Sequence, residues 1–116
     1  MQCDTLVDRY FAAFAAGDLD AVAALLVTGV TLQDPFVGVV QGKPAVLEVY
    51  RNLFRAARLD LSLERRFRAG ATAAVEFSLR IHGSDGKVSA VKGVDLIETA
   101  RGGIVAIRAY VEVVPA

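Results

Sequence analysis

Apolar residues recur three and four positions apart through the first part of the chain, and every second position through the rest. Leu6, Val7, Tyr10, Phe11 and Phe14 share one helical face, with Asp4 or Thr5 as the cap and Gly17 as the stop. Asp18 then caps a short second helix running through Leu26, with Leu19, Val22, Leu25 and Leu26 inward. Residues 30–34 read as a strand. Pro35 holds Asp34 extended, because its ring crowds the α conformation of the preceding residue. Residues 37–42 read as a loop, and Pro44 suits the first turn of a third helix. Val46, Val49, Tyr50, Leu53, Phe54 and Ala57 make that helix's apolar face.

The period then falls to two. Leu59, Leu61 and Leu63 alternate with polar residues, as do Ala73, Val75, Phe77, Leu79 and Ile81. Gly83-Ser84-Asp85-Gly86 is a hairpin turn. Residues 88–99 form the next strand, Arg101-Gly102-Gly103 turns, and residues 104–114 form the last. Helices followed by a run of strands predict an α+β fold with an antiparallel sheet. The last strands are apolar on both faces, Val94 and Leu96 opposing Asp95 and Ile97. With helices on one face, the other needs cover, so a homodimer is expected.

The 116 residues predict one domain spanning 1–116, and 54% hydrophobic residues are enough for a core plus an apolar cavity or subunit interface. No apolar run reaches the roughly 18 residues of a membrane span, so no membrane partner is expected. The start, Met1-Gln2-Cys3-Asp4, lacks a secretory pattern, and Cys3 is the lone cysteine. A cytoplasmic location is therefore expected. Thirteen basic residues balance thirteen acidic ones, which gives no global field for nucleic acid. The balance is locally uneven: Arg51, Arg55, Arg58, Arg65, Arg66 and Arg68 stand against only Asp60 and Glu64. No aromatic residues alternate with them as a nucleic-acid platform needs, so they read as a solvated face near a helix end.

Chemistry concentrates in carboxylates and tyrosines. His82, the single histidine, sits beside the hairpin turn and reads as a surface residue. That argues against histidine-dependent catalysis and against zinc, and no metal or cofactor is expected. Asp95 interrupts the apolar strand Val91-Lys92-Gly93-Val94-Asp95-Leu96-Ile97. A buried carboxyl group must be paired or protonated. Lys92 or Arg108 is a candidate partner; the alternative is a neutral acid. Asp34 lies in similarly apolar surroundings and either caps a local turn or acts on a proton. Tyr10 and Tyr50 face inward on helices, as core tyrosines or as donors.

These residues also carry a resemblance. Tyr10-Phe11-Ala12-Ala13-Phe14, Gly17-Asp18-Leu19-Asp20-Ala21 and Thr31-Leu32-Gln33-Asp34-Pro35-Phe36 resemble the first half of bacterial Δ5-3-ketosteroid isomerases. Those enzymes belong to the nuclear transport factor 2-like superfamily. The resemblance implies a cone-shaped domain of three N-terminal helices packed on a curved, mainly antiparallel sheet. It implies Asp34 as the catalytic base, Tyr10 and protonated Asp95 as oxyanion-hole donors, and Tyr50 as the partner of Tyr10. Two carboxyl groups with split protonation are a property of ketosteroid isomerases themselves, carried here by the resemblance. Phe14, Phe54, Phe77, Gly93, Ile107, Ala109 and Val111 are expected to line an apolar substrate cavity. Gln33, Gly93, Val111 and Val37-Gly38-Val39-Val40 depart from the family pattern, which bears on the substrate. The implied activity is transposition of a C=C bond in a 3-oxo-Δ5 steroid or similar small apolar enone precursor. The alternatives are a polyketide-cyclase-like aldol or lyase catalyst on the same fold, or a non-enzymatic dimer that binds an apolar ligand.

Overall fold

The computed structural model describes residues 2–116. Three helices, α1 (Cys3–Ala16), α2 (Leu19–Leu25) and α3 (Lys43–Ala56), pack on six strands. The strands are β1 (Leu26–Asp34), β2 (Gly38–Gln41), β3 (Ala57–Ala69), β4 (Thr72–Gly83), β5 (Val88–Ala100) and β6 (Gly103–Val114). They form one open sheet in the order β2-β1-β6-β5-β4-β3, antiparallel except where β1 runs parallel to β6. This is the α+β cone of helices over a mainly antiparallel sheet. No helix among the described residues is long and apolar enough to cross a membrane.

Local chemistry accounts for the helix ends. Gly17 takes φ 64°, a left-handed conformation that costs glycine little, and its N–H closes α1 onto the carbonyls of Ala13 and Phe14. The Asp18 side chain accepts from the Ala21 N–H at 3.1 Å and opens α2. Pro44 sits in the first turn of α3, where its missing donor costs nothing. Leu6, Val7, Val22, Val30, Val46, Val75, Ile97, Ile104 and Ile107 are buried between the helices and the inner face of the sheet.

Four sequence-based boundaries change. Gln2, not Asp4 or Thr5, occupies the cap position of α1, without a side-chain bond; Asp4 instead lies in the first turn. Leu26 leaves the second helix and begins β1, because its N–H still bonds Ala23 while its backbone is already extended. The expected loop at 37–42 contains β2, which pairs with β1 from Thr31↔Gln41 to Asp34↔Gly38. As an edge strand it buries little, so it shows no apolar alternation to read. β3 runs on to Ala69, past the end of its leucine alternation.

Four of the six arginines lie on β3 rather than at a helix end, and five are paired; Arg55 stands in the last turn of α3. Arg66 bonds Asp8 at 2.7 Å, Arg68 reaches Asp4 at 3.6 Å, Arg65 meets Glu76 at 2.8 Å, and Arg58 meets Asp60 at 2.8 Å. Arg51 pairs with Glu48 on α3. Two of these pairs, Arg66 with Asp8 and Arg68 with Asp4, tie the third strand to the first helix.

Gly93 answers a packing need. A Cβ there would stand 2.1 Å from the Tyr110 carbonyl oxygen and 2.7 Å from Val111 Cα. Backbone cannot swing aside as a side chain can. Gly93→Ala is therefore expected to destabilise the fold by about 1–3 kcal/mol, the usual cost of overpacking. Urea unfolding checks this, and an unchanged midpoint would contradict it.

Candidate active site

The inner face of the sheet and the helices enclose a cavity of about 260 Å³. It is lined by Tyr10, Phe11 and Phe14 from α1, Val49, Tyr50 and Leu53 from α3, Leu32 and Asp34 from β1, and inward residues of β3 to β6 that include Asp95. Its walls are apolar apart from Asp34, Asp95 and the two tyrosines.

Tyr10 and Tyr50 meet at 2.6 Å between hydroxyl oxygens, and both rings are almost fully buried. Residues 40 apart in sequence are brought together because each lies on the inward face of its helix. Burial pushes the Tyr10 hydroxyl well above the ordinary tyrosine range, helped by the nearby Tyr50 and Asp95. Burial raises Tyr50 as well, against the opposing effect of its hydrogen bond with Tyr10. Both are therefore neutral donors near neutral pH. Edge-on contacts fix the rings: Tyr10 with Tyr50 at 6.2 Å between centroids and Phe14 with Tyr50 at 6.2 Å.

Asp95 projects from β5 on the same side as Ile97, with 7% of its surface exposed. The salt-bridge alternative does not occur: Arg108 pairs with Glu98 at 2.7 Å, and Lys92 lies 3.8 Å from Glu112. Strand parity explains this. Lys92, Leu96, Glu98 and Arg108 stand on positions that alternate with Asp95, facing the outer side. Burial, then the charge of Asp34, raises the Asp95 carboxyl to about 7. At lower pH it is a neutral donor.

Asp34, the last residue of β1, is half-buried. Its Oδ1 accepts the Phe36 N–H at 2.6 Å, which aims the carboxylate and leaves Oδ2 free. Pro35, between them, offers no donor of its own. Asp34 also borders the open groove on the outer face of the sheet, so it sits where cavity and solvent meet. His82 pairs with Asp60 at 2.7 Å and is not part of the cavity lining.

Five of the seven residues expected to line the cavity do so: Phe14, Phe77, Ile107, Ala109 and Val111. Gly93 does not, because Val111 fills the space its side chain would take. Phe54 does not either; it packs behind the wall, 5.9 Å from Tyr50 and 6.0 Å from Phe14 between ring centroids, next to Gly17. Sequence reasoning missed Phe11, Leu79, Val91, Phe36 and Val37, among others. Strand parity with Phe77 points to Leu79, but Phe36 and Val37 lie in a turn that has no periodicity.

Two carboxyl groups and a hydrogen-bonded tyrosine pair in an apolar cavity supply the acceptor and donors that removal of a proton beside a carbonyl group requires. Residues 7–107 match the SnoaL-like domain family. The chain is a SnoaL-like domain. No curated protein matches it. Among solved structures this SnoaL-like domain is similar to a Δ5-3-ketosteroid isomerase from Mycobacterium sp. (20% identity, 97% of this chain and 98% of that one, TM-score 0.85). It is similar to a candidate polyketide cyclase from Pseudomonas putida (24% identity, 95% and 91%, TM-score 0.83). It is also similar to a Mycobacterium tuberculosis protein solved with estradiol-17β-hemisuccinate (22% identity, 93% and 92%, TM-score 0.84). At these identities the likeness concerns the fold, which hosts enzymes of several chemistries.

Proposed function

We propose that this SnoaL-like domain is a C=C-transposing isomerase acting on a 3-oxo-Δ5 steroid or a similar apolar enone precursor. The observation that carries the reading is the convergence of Tyr10, Tyr50, Asp95 and Asp34 on one apolar cavity. Asp34 takes the proton from C4 with its free oxygen and returns it to C6. The enolate oxygen receives hydrogen bonds from Tyr10 and from neutral Asp95, while Tyr50 donates to Tyr10. Such donors act strongly in a water-poor site because they are in place before charge develops. The apolar walls hold the hydrocarbon body of the substrate, with Phe14, Phe77, Ile107, Ala109 and Val111 in contact with it. The steroid derivative bound by one structural neighbour supports a ligand of this kind.

Conversion of 5-androstene-3,17-dione to its conjugated isomer, followed by ultraviolet absorbance, tests the proposal. Absence of turnover by folded protein would refute it. A second reading, proton abstraction leading to an aldol closure, is favoured by the family match and by the cyclase-like neighbour. It uses Asp34 in the same way and predicts turnover of a polyketide carbonyl with no change in the steroid.

We further propose a symmetric homodimer formed through the outer face of the sheet. Val94 and Leu96 face outward there, and Tyr110 is 53% and Val39 73% exposed. Light scattering at micromolar concentration is expected to give twice the 12.3 kDa chain mass; a monomer mass would contradict this.

A further inference from the structure

Among the described residues the cavity is lined by acidic side chains, Asp34 and Asp95, and by no lysine, arginine or histidine. Asp95 is more than nine-tenths buried, and among the described residues it forms no hydrogen bond or ion pair. Around these two carboxyl groups stand six aromatic rings, from Tyr10, Phe11, Phe14, Phe36, Tyr50 and Phe77. A ring face is electron-rich and attracts cations, and more so when water is excluded.

We propose that the cavity also binds a small apolar ammonium ion, held beside the Asp34 and Asp95 carboxylates against the aromatic faces, in competition with a carbonyl ligand. Two like charges close together in an apolar site repel each other, and a cation beside them relieves that repulsion. The two ligand classes then use Asp95 in opposite states. A carbonyl compound needs it protonated, as a donor; an ammonium ion needs it ionised. The proposal goes beyond the isomerase reading and does not require turnover. A single-ring ligand fits within the cavity of about 260 Å³.

The sign of the pH dependence follows from the groups that face Asp95. These are Asp34 from β1, Tyr10 from α1 and Tyr50 from α3, with no cation among them. Both tyrosines remain neutral over the range of interest, and the Asp95 carboxyl ionises around 7. Affinity for a permanent cation therefore rises from pH 6 to pH 8.

Phenyltrimethylammonium and tert-butylbenzene make the test, since they share a shape and differ in charge. Titration followed by chemical shifts of cavity residues is expected to show the ammonium binding about tenfold more tightly at pH 8. The advantage is expected to shrink several-fold at pH 6. It should vanish in Asp34→Asn/Asp95→Asn, in which retained binding of tert-butylbenzene reports that the cavity is intact. If that variant does not fold, the pH comparison on the unmodified protein decides. Equal affinity for both probes, no cavity binding of the ammonium, or a preference insensitive to pH would overturn the proposal. Steroid turnover is measured on the same preparation. Turnover without cation preference overturns this inference alone; cation preference without turnover overturns the isomerase reading alone.

Discussion

Asp34→Asn is expected to lower isomerase turnover by on the order of 10²–10⁴-fold, the usual contribution of a positioned general base. Asn has nearly the same shape and keeps the acceptor oxygen that meets the Phe36 N–H at 2.6 Å, so the turn after β1 should survive. What is lost is the capacity to take up a proton. The substitution lies at the half-buried end of β1, away from the packed core, and stability should change little. The check is steady-state turnover together with thermal unfolding. A folded variant that keeps near-normal turnover would remove Asp34 from the role of base, and with it the proposed mechanism.

The second large effect concerns the oxyanion donors. Asp95→Ala is expected to cost roughly 10²–10³-fold in turnover, as loss of one such donor does elsewhere. Asp95→Asn should retain much more activity, because an amide N–H can stand in for a neutral carboxyl O–H. Tyr10→Phe combined with Asp95→Ala should be far slower than either alone, since the enolate oxygen then has neither donor. Equal losses in the Asn and Ala variants would contradict a donor role for Asp95.

The same group predicts a pH dependence of stability. Asp95 is raised to about 7 in the fold, against about 4 in an unfolded chain. The folded state therefore holds this proton more tightly than the unfolded state does. Its contribution to stability is complete below about pH 4 and is lost as the pH rises through about 7. The difference is on the order of 4 kcal/mol. Asp95→Asn should flatten this decline, so the variant should gain on the unmodified protein between pH 5 and pH 8. Urea unfolding across that range measures it, and carboxyl carbon shifts give the titration directly. An Asp95 titrating near pH 4 would rule out the neutral donor.

The fold was largely legible because amphipathic periodicity reports local geometry. The spacing of Tyr10 and Phe14, the stop at Gly17 and the alternation of Phe77, Leu79 and Ile81 each follow from backbone period and the need to bury one face. β2 escaped because an edge strand with exposed side chains buries too little to leave a pattern. The length of β3 escaped because its far half is held by pairing with β4 while its side chains stay mostly exposed, which leaves no apolar alternation to read.

Local periodicity alone is enough to put certain polar residues on inward faces. Tyr10, Tyr50 and Asp95 are placed by helical and strand parity, and Pro35 keeps Asp34 extended; none of this needs a partner element. Which of these groups meet, and what surrounds them, depends on how the elements pack. The 2.6 Å contact between the two tyrosines depends on how α1 and α3 pack. The freedom of Asp95 from salt bridges depends on strand pairing, which sends Arg108 to Glu98 on the other face. The same packing moved Phe54 behind the cavity wall and gave the space beside Gly93 to Val111. Parity is set by each residue's own backbone, whereas contact and desolvation are set by elements distant in the chain, and they exist only once the helices close over the sheet.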